Sequence, residues 1–330
     1  MVSRDASAAG GATDACAANV KRGLRRILEV GASDSGRALL GSTLRLCAAP
    51  RSPSEVYRVK SFVEGPWATL AMGDYPYSSS YLMHGDALLP PWPVRAACKP
   101  LAHVSPDTDA ALFDALRRAV SVYHNASGDA GHCFNVTGAD ADAPAAAPPS
   151  RPIASAHPAA RRTMRSPLAS PPAKPLAGRE LLGSLGAGSC EGNWGYQWCT
   201  EMVQPFTSGT PKDMFYPYAP YNFTTSAAGC EQQWGVRPRE EWARIGLGGK
   251  RITDASNIIF SNGAYDPWSR GGVQHSPSPS LIAVTIPSGA HHIDLMFSDK
   301  ADPPDVSAAR QKEMGIIHGW IEQKQKKGVE

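Results

Sequence analysis

The chain has 330 residues, 42% of them apolar, and its 33 Lys and Arg stand against 30 Asp and Glu for a formal charge of +3. That length and apolar share suffice for a real core in one large domain or two ordinary ones. Cations scattered among acids exclude a stripe able to neutralise phosphates, so no nucleic-acid partner is expected. No run approaches the roughly 20 apolar residues that span a bilayer, so no membrane partner is expected either.

Residues 1–15 are small and polar, without the basic start and apolar centre of a secretory signal, and read as a disordered tail. Read literally, such a start predicts a cytosolic protein; other features contradict it. Seven cysteines stand at long spacings, Cys16, Cys47, Cys98, Cys133, Cys190, Cys199 and Cys230, with no C-x-x-C pair that would indicate zinc or a redox site. Disulfides fit them better than metal. Three glycosylation sequons, at Asn125, Asn135 and Asn222, are weak signals singly and would serve equally as polar loop. With the cysteines they point to a lysosomal, vacuolar or secreted route.

Residues 16–136 carry mainly helical patterning. Val20, Leu24, Ile27 and Leu28 share one face of a first segment at the 3.6-residue period. After Ser105-Pro106, read as a cap and first helical position, Leu112, Phe113, Leu116, Val120 and Tyr123 form a second apolar stripe. Between them the prolines of Asp74-Tyr-Pro-Tyr77 and Leu89-Pro-Pro-Trp-Pro93 force loops with aromatic anchors. Residues 137–188 change to Ala, Pro, Ser and Gly with scattered Arg. Such a composition buries too little apolar surface to offset the entropy of ordering, and reads as a disordered linker.

Residues 189–330 open with three large rings in Asn193-Trp-Gly-Tyr-Gln-Trp-Cys199. Asn257-Ile-Ile-Phe260 and Leu281-Ile-Ala-Val-Thr-Ile286 are β-branched runs bounded by turn residues, which predicts strands buried on both faces. A helix from about Asp305 follows, with Met314, Ile317 and Ile321 on its inner side. The first strand leads into Asp266 and the second into His291. An acid and an imidazole beyond strand C-terminal ends occupy the place where open α/β sheets hold their chemistry. Their order along the chain is that of the last two members of an α/β-hydrolase triad. A metal site from His291, His292 and Asp294 is the weaker reading, because adjacent histidines rarely face one ion. No cofactor is implied.

The strings Ser261-Asn-Gly-x-x-Asp-Pro-Trp268, Gly289-Ala-His-His-x-Asp-Leu295 and Trp234-Gly-Val-x-Pro-Arg239 resemble those of the serine peptidase family of lysosomal Pro-Xaa carboxypeptidase and dipeptidyl peptidase II. So do Ala71-Met-x-Asp-Tyr-Pro-Tyr77, Pro91-Trp-Pro-Val94 and Tyr196-Gln-x-Cys-Thr-Glu201, and the likeness covers nearly all of the chain except the tail and linker. The resemblance implies the C-terminal part of an α/β-hydrolase domain (189–330) with a mainly helical insertion (16–136), acting on peptides with proline near a terminus, with a homodimer possible. Asp266 then matches the catalytic acid and His291, the first of the pair, the base. Trp268 and Trp194 are candidates to line a pocket for the proline ring, with core packing as the competing role. The family's cysteine pattern implies Cys16 with Cys98, Cys47 with Cys133 and Cys199 with Cys230. It leaves Cys190 over and puts Thr207 where the family has a cysteine.

The family's Gly-Gly-Ser-Tyr-Gly-Gly turn does not occur in the sequence, nor does Gly-x-Ser-x-Gly. Only such a sharp turn lifts a serine clear of the sheet beside its oxyanion donors. Ser33 and Ser189 lack both the spacing and a preceding buried strand. The expectation is a peptidase present here without its nucleophile, as an incomplete piece of a longer enzyme. A short non-catalytic binding protein is the alternative. The choice between trimming C-terminal residues after proline and releasing N-terminal dipeptides leans to the former on overall likeness of the motifs.

Overall fold

The computed structural model describes residues 2–83, 87–104, 108–128, 131–136, 193–249 and 252–327. The expected linker at 137–188 lies outside them, as do Ser189 and Cys190.

Helices make up the first part: α1 (Val2–Asp5), α2 (Asp14–Val30), α3 (Asp34–Thr43), α4 (Pro53–Glu64), α5 (Pro66–Met72), α6 (Pro93–Cys98) and α7 (Asp109–His124). The caps explain where several start. Ser33 accepts from the Gly36 amide, and Ser52 accepts from the Glu55 amide just before Pro53 at the first helical position. The apolar stripes of α2 and α7 face one core in which Val20, Leu24, Ile27, Phe113, Leu116 and Val120 are fully buried, beside Trp67 and Leu70 of α5. Disulfides Cys16–Cys98 and Cys47–Cys133 close loops of 82 and 86 residues. In the chain-entropy account each such closure stabilises by roughly 4 kcal/mol.

The second part holds α8 (Asn193–Thr200), α9 (Phe223–Trp234), α10 (Trp242–Gly246), strands β1 (Ile258–Gly263) and β2 (Leu281–Ile286), and α11 (Pro304–Lys327). β1 and β2 pair in parallel, Ile258 beside Leu281 through Gly263 beside Ile286. Cys199–Cys230 joins α8 to α9. Asn222, one of the sequon residues, is exposed and caps α9 by accepting from the Thr225 amide; Asn125 and Asn135 are also exposed. A second, smaller core contains Tyr75, Tyr265, Val284, Ile286, Ala290, Ile293, Val306 and Ala309.

Four expectations are corrected. Residues 2–10 are not a loose tail: Val2 and Ala6 enter the helical core, and Gly10 packs where a Cβ would stand 2.4 Å from the Asp5 backbone. The helix expected after Ser105-Pro106 begins at Asp109, where Thr108 is the cap that accepts from the Ala111 amide. The strands are not buried on both faces. With two strands described, Ile258, Ile259 and Phe260 are only half-buried and Ser261 is exposed. Finally, α11 packs through its first turns, at Val306 and Ala309, while Met314 and Ile321 stay 65% and 50% exposed and Ile317 is also exposed. An apolar stripe establishes that a helix has a side to cover, not that this chain covers it.

Candidate active site

Two turns, one beyond the C-terminal end of β1 and one beyond that of β2, form the site. Gly263 ends β1 against the Gly289-Ala290 backbone, and the Tyr265 amide donates to Gly289 O at 2.8 Å. That contact brings Asp266 and His291 together. His291 Nδ1 lies 2.9 Å from Asp266 Oδ2, with both side chains largely buried at 11% and 16% exposure for the acid and imidazole. The other carboxylate oxygen, Oδ1, accepts from the Trp268 amide at 2.9 Å, which locks the acid's orientation. With a carboxylate as its partner Nδ1 is the donor, so Nε2 is the nitrogen left to take a proton from an attacking group.

His291 is also held from the helical part. Its amide donates to Met72 O at 3.1 Å, and the Tyr75 hydroxyl donates to its carbonyl oxygen. His292 follows in a left-handed conformation at φ 56°, which a residue with a Cβ rarely adopts, and its ring stacks on that of His291 at 3.7 Å. Partial burial, and then the neighbouring His291, hold the His292 imidazole below the ordinary histidine value. Tyr81 reaches His292 Nδ1 at 3.1 Å. Arg310 of α11 braces the same turn, donating to the carbonyls of Ile293 and Asp294 while paired with Asp302. Ser261 donates to Asp294 at 2.7 Å.

Trp268 lies beside His291, with ring centroids 6.4 Å apart, and its indole N–H donates to Met72 Sδ. Trp194 meets Trp268 edge-on at 6.0 Å, so the two tryptophans expected near the site are together. Phe206, which the sequence reading passed over, completes the group at 5.3 Å from Trp268. Trp194 and Phe206 are 41% and 53% exposed, so the cluster is an open apolar shelf rather than a filled core. Among the described residues no group of three or more His, Cys, Asp or Glu side chains is arranged to hold a metal ion.

Met72, Tyr75, Gly263, Gly289 and Arg310 were not singled out from sequence. Met72 and Tyr75 lie within a string that carried the family resemblance, but nothing in their spacing points to a histidine more than two hundred residues away.

Behind the acid, Asp5 of α1 is fully buried and neither carboxyl oxygen has a hydrogen-bond partner. Desolvation, then the Asp74 charge, pushes it up to about 8, with Asp266 adding to the rise and Arg4 opposing it. Burial likewise raises Asp74 to about 7, against the Val94 amide it accepts from and the Arg95 charge.

Comparison with known proteins matches residues 180–313 to the family described as serine carboxypeptidase S28. Human lysosomal Pro-X carboxypeptidase is 34% identical over 306 residues, covering 93% of this chain and 51% of the relative. The mouse protein of the same name is 32% identical over 306 residues, 93% of this chain and 52% of the relative. Prolyl carboxy peptidase like protein 5 of Caenorhabditis elegans is 30% identical over 321 residues, 92% and 53% respectively. The chain thus spans about half the length of the curated relatives it matches. A likeness that runs through both the helical part and the Asp266–His291 turns places the chain in the S28 family of serine peptidases.

Proposed function

We propose that these residues are the acid and base half of a serine peptidase that removes C-terminal residues following proline, built on an α/β-hydrolase sheet. The observation that carries the reading is the 2.9 Å pair of Asp266 and His291 beyond the ends of two parallel strands. Asp266 fixes the imidazole and stabilises its charged form, and His291 Nε2 takes the proton of a serine hydroxyl and passes it to the leaving amine. The serine and its oxyanion donors lie on sequence that the 330 residues do not contain. By themselves these residues have no nucleophile turn and are expected not to hydrolyse peptides. Trp268, Trp194 and Phe206 offer flat apolar faces for a proline ring beside the imidazole. The names of the relatives support the carboxypeptidase direction and a lysosomal setting.

The test uses a polypeptide that joins these residues to the nucleophile-bearing half. An N-terminally blocked peptide ending in Pro-Xaa should lose its last residue, whereas an Xaa-Pro dipeptide amide with a free amine should be a poor substrate. The reverse preference would assign the dipeptidyl peptidase direction instead.

A further inference from the structure

We propose that Tyr75 is a positioning residue for His291, fixing the imidazole from the helical part of the molecule through a hydrogen bond to the histidine's own carbonyl. This rests on the peptidase reading for its consequence in catalysis, but not for its structural content. Tyr75 is fully buried, and its hydroxyl donates to His291 O. Three residues earlier, Met72 O accepts from the His291 amide at 3.1 Å. One short stretch of chain therefore holds both backbone polar groups of His291. The same stretch accepts the Trp268 indole N–H at Met72 Sδ, so it also touches the wall of the shelf.

The arrangement has a physical rationale. His291 sits in a turn just before a residue in a left-handed conformation, and its ring leans on an exposed neighbour. The Tyr265 amide bond to Gly289 O and the Arg310 bonds to Ile293 O and Asp294 O hold the turn on either side of His291, and none of them touches the backbone of His291 itself. A displacement of about 1 Å at a general base costs up to roughly a hundredfold in rate. Burial raises the Tyr75 phenol well above its ordinary value, so it stays a donor across the range in which proteins fold. Trp92 donates to Tyr75 O at 2.7 Å, and the Tyr75 and Tyr77 rings stack at 5.7 Å, so the phenol is itself rigidly placed. Tyr77 provides a control within the same motif: its hydroxyl is buried without a hydrogen-bond partner.

The experiment follows the His291 Nδ1 proton by low-field proton NMR on the full chain, assigned by its disappearance in His291→Gln. The wild type and Tyr77→Phe should show an exchange-protected resonance. In Tyr75→Phe the proton should exchange with solvent at least tenfold faster, with unchanged circular dichroism. If Tyr75→Phe does not fold, 3-fluorotyrosine at position 75, a stronger donor of nearly the same shape, should slow the exchange at least twofold. Equal exchange in Tyr75→Phe or the fluorotyrosine protein and the wild type overturns the proposal, as does the absence of a protected proton from the wild type. In the nucleophile-bearing polypeptide, Tyr75→Phe should lower kcat about tenfold and leave KM within twofold. Faster exchange in a polypeptide whose wild type cleaves no proline peptide would uphold the positioning role and refute the peptidase reading.

Discussion

Gly263 and Gly289 face one another across the ends of the two strands, and a Cβ on Gly263 would stand 2.5 Å from Gly289 O and 2.7 Å from Ala290 O. Both obstacles are backbone, so neither can swing aside. The distance between the Asp266 turn and the His291 turn is therefore set by the absence of a side chain at position 263.

Gly263→Ala should accordingly separate the turns. The expected destabilisation is about 1–3 kcal/mol, in the range of overpacked interiors, read as a lower denaturant midpoint with unchanged slope. The protected His291 proton should weaken in parallel. A variant as stable as the wild type would mean that the close approach is relieved elsewhere.

The buried acids give the folded protein a pH dependence of definite sign. Asp5 and Asp74 are raised from 3.8 to about 8 and about 7. Between about pH 4 and pH 8 these two carboxyls hold protons in the folded state that the unfolded chain has released, so the stability they contribute is full in acid and falls as pH rises through that window, opposed only below about pH 6.5 by the buried His124, which burial holds down to about 4. The melting temperature should drop from pH 5 to pH 8. Asp5→Asn, which keeps the shape without an ionisable group, should flatten the slope; an undiminished slope would place its origin elsewhere.

Trp268 can be tested through specificity rather than rate. Trp268→Ala removes the ring between His291 and the Trp194 and Phe206 edges. In the nucleophile-bearing polypeptide the ratio of kcat/KM for proline over alanine before the scissile bond should fall about threefold to tenfold, the worth of one ring contact. An unchanged ratio would return Trp268 to a packing role.

The helices, the strands and the candidate site were legible in the sequence to different degrees. The stripes of α2 and α7 were, because Leu24, Ile27, Phe113 and Leu116 recur at the helical period and bury a single face. The strands were, because β-branched runs between turn residues leave few alternatives, and the acid and imidazole followed from where those runs stop. What escaped depends on long-range contact. Met72 and Tyr75 meet His291 across more than two hundred residues, and no periodicity encodes that meeting. Residues 2–10 look like a tail because their burial rests on small residues fitting against partners far along the chain. The outer side of α11 illustrates the converse: Met314, Ile317 and Ile321 read as an inner face, yet nothing described here covers them.

The most direct test compares the wild type with Asp266→Asn in the polypeptide joining these residues to the nucleophile-bearing half, measuring release of the C-terminal residue from a blocked Pro-Xaa peptide. Loss of the acid should leave the imidazole in the wrong tautomer and lower kcat by roughly ten-thousandfold with little change in KM. A variant within threefold of the wild type would contradict the assignment of Asp266 and His291 as the acid and base of the reaction.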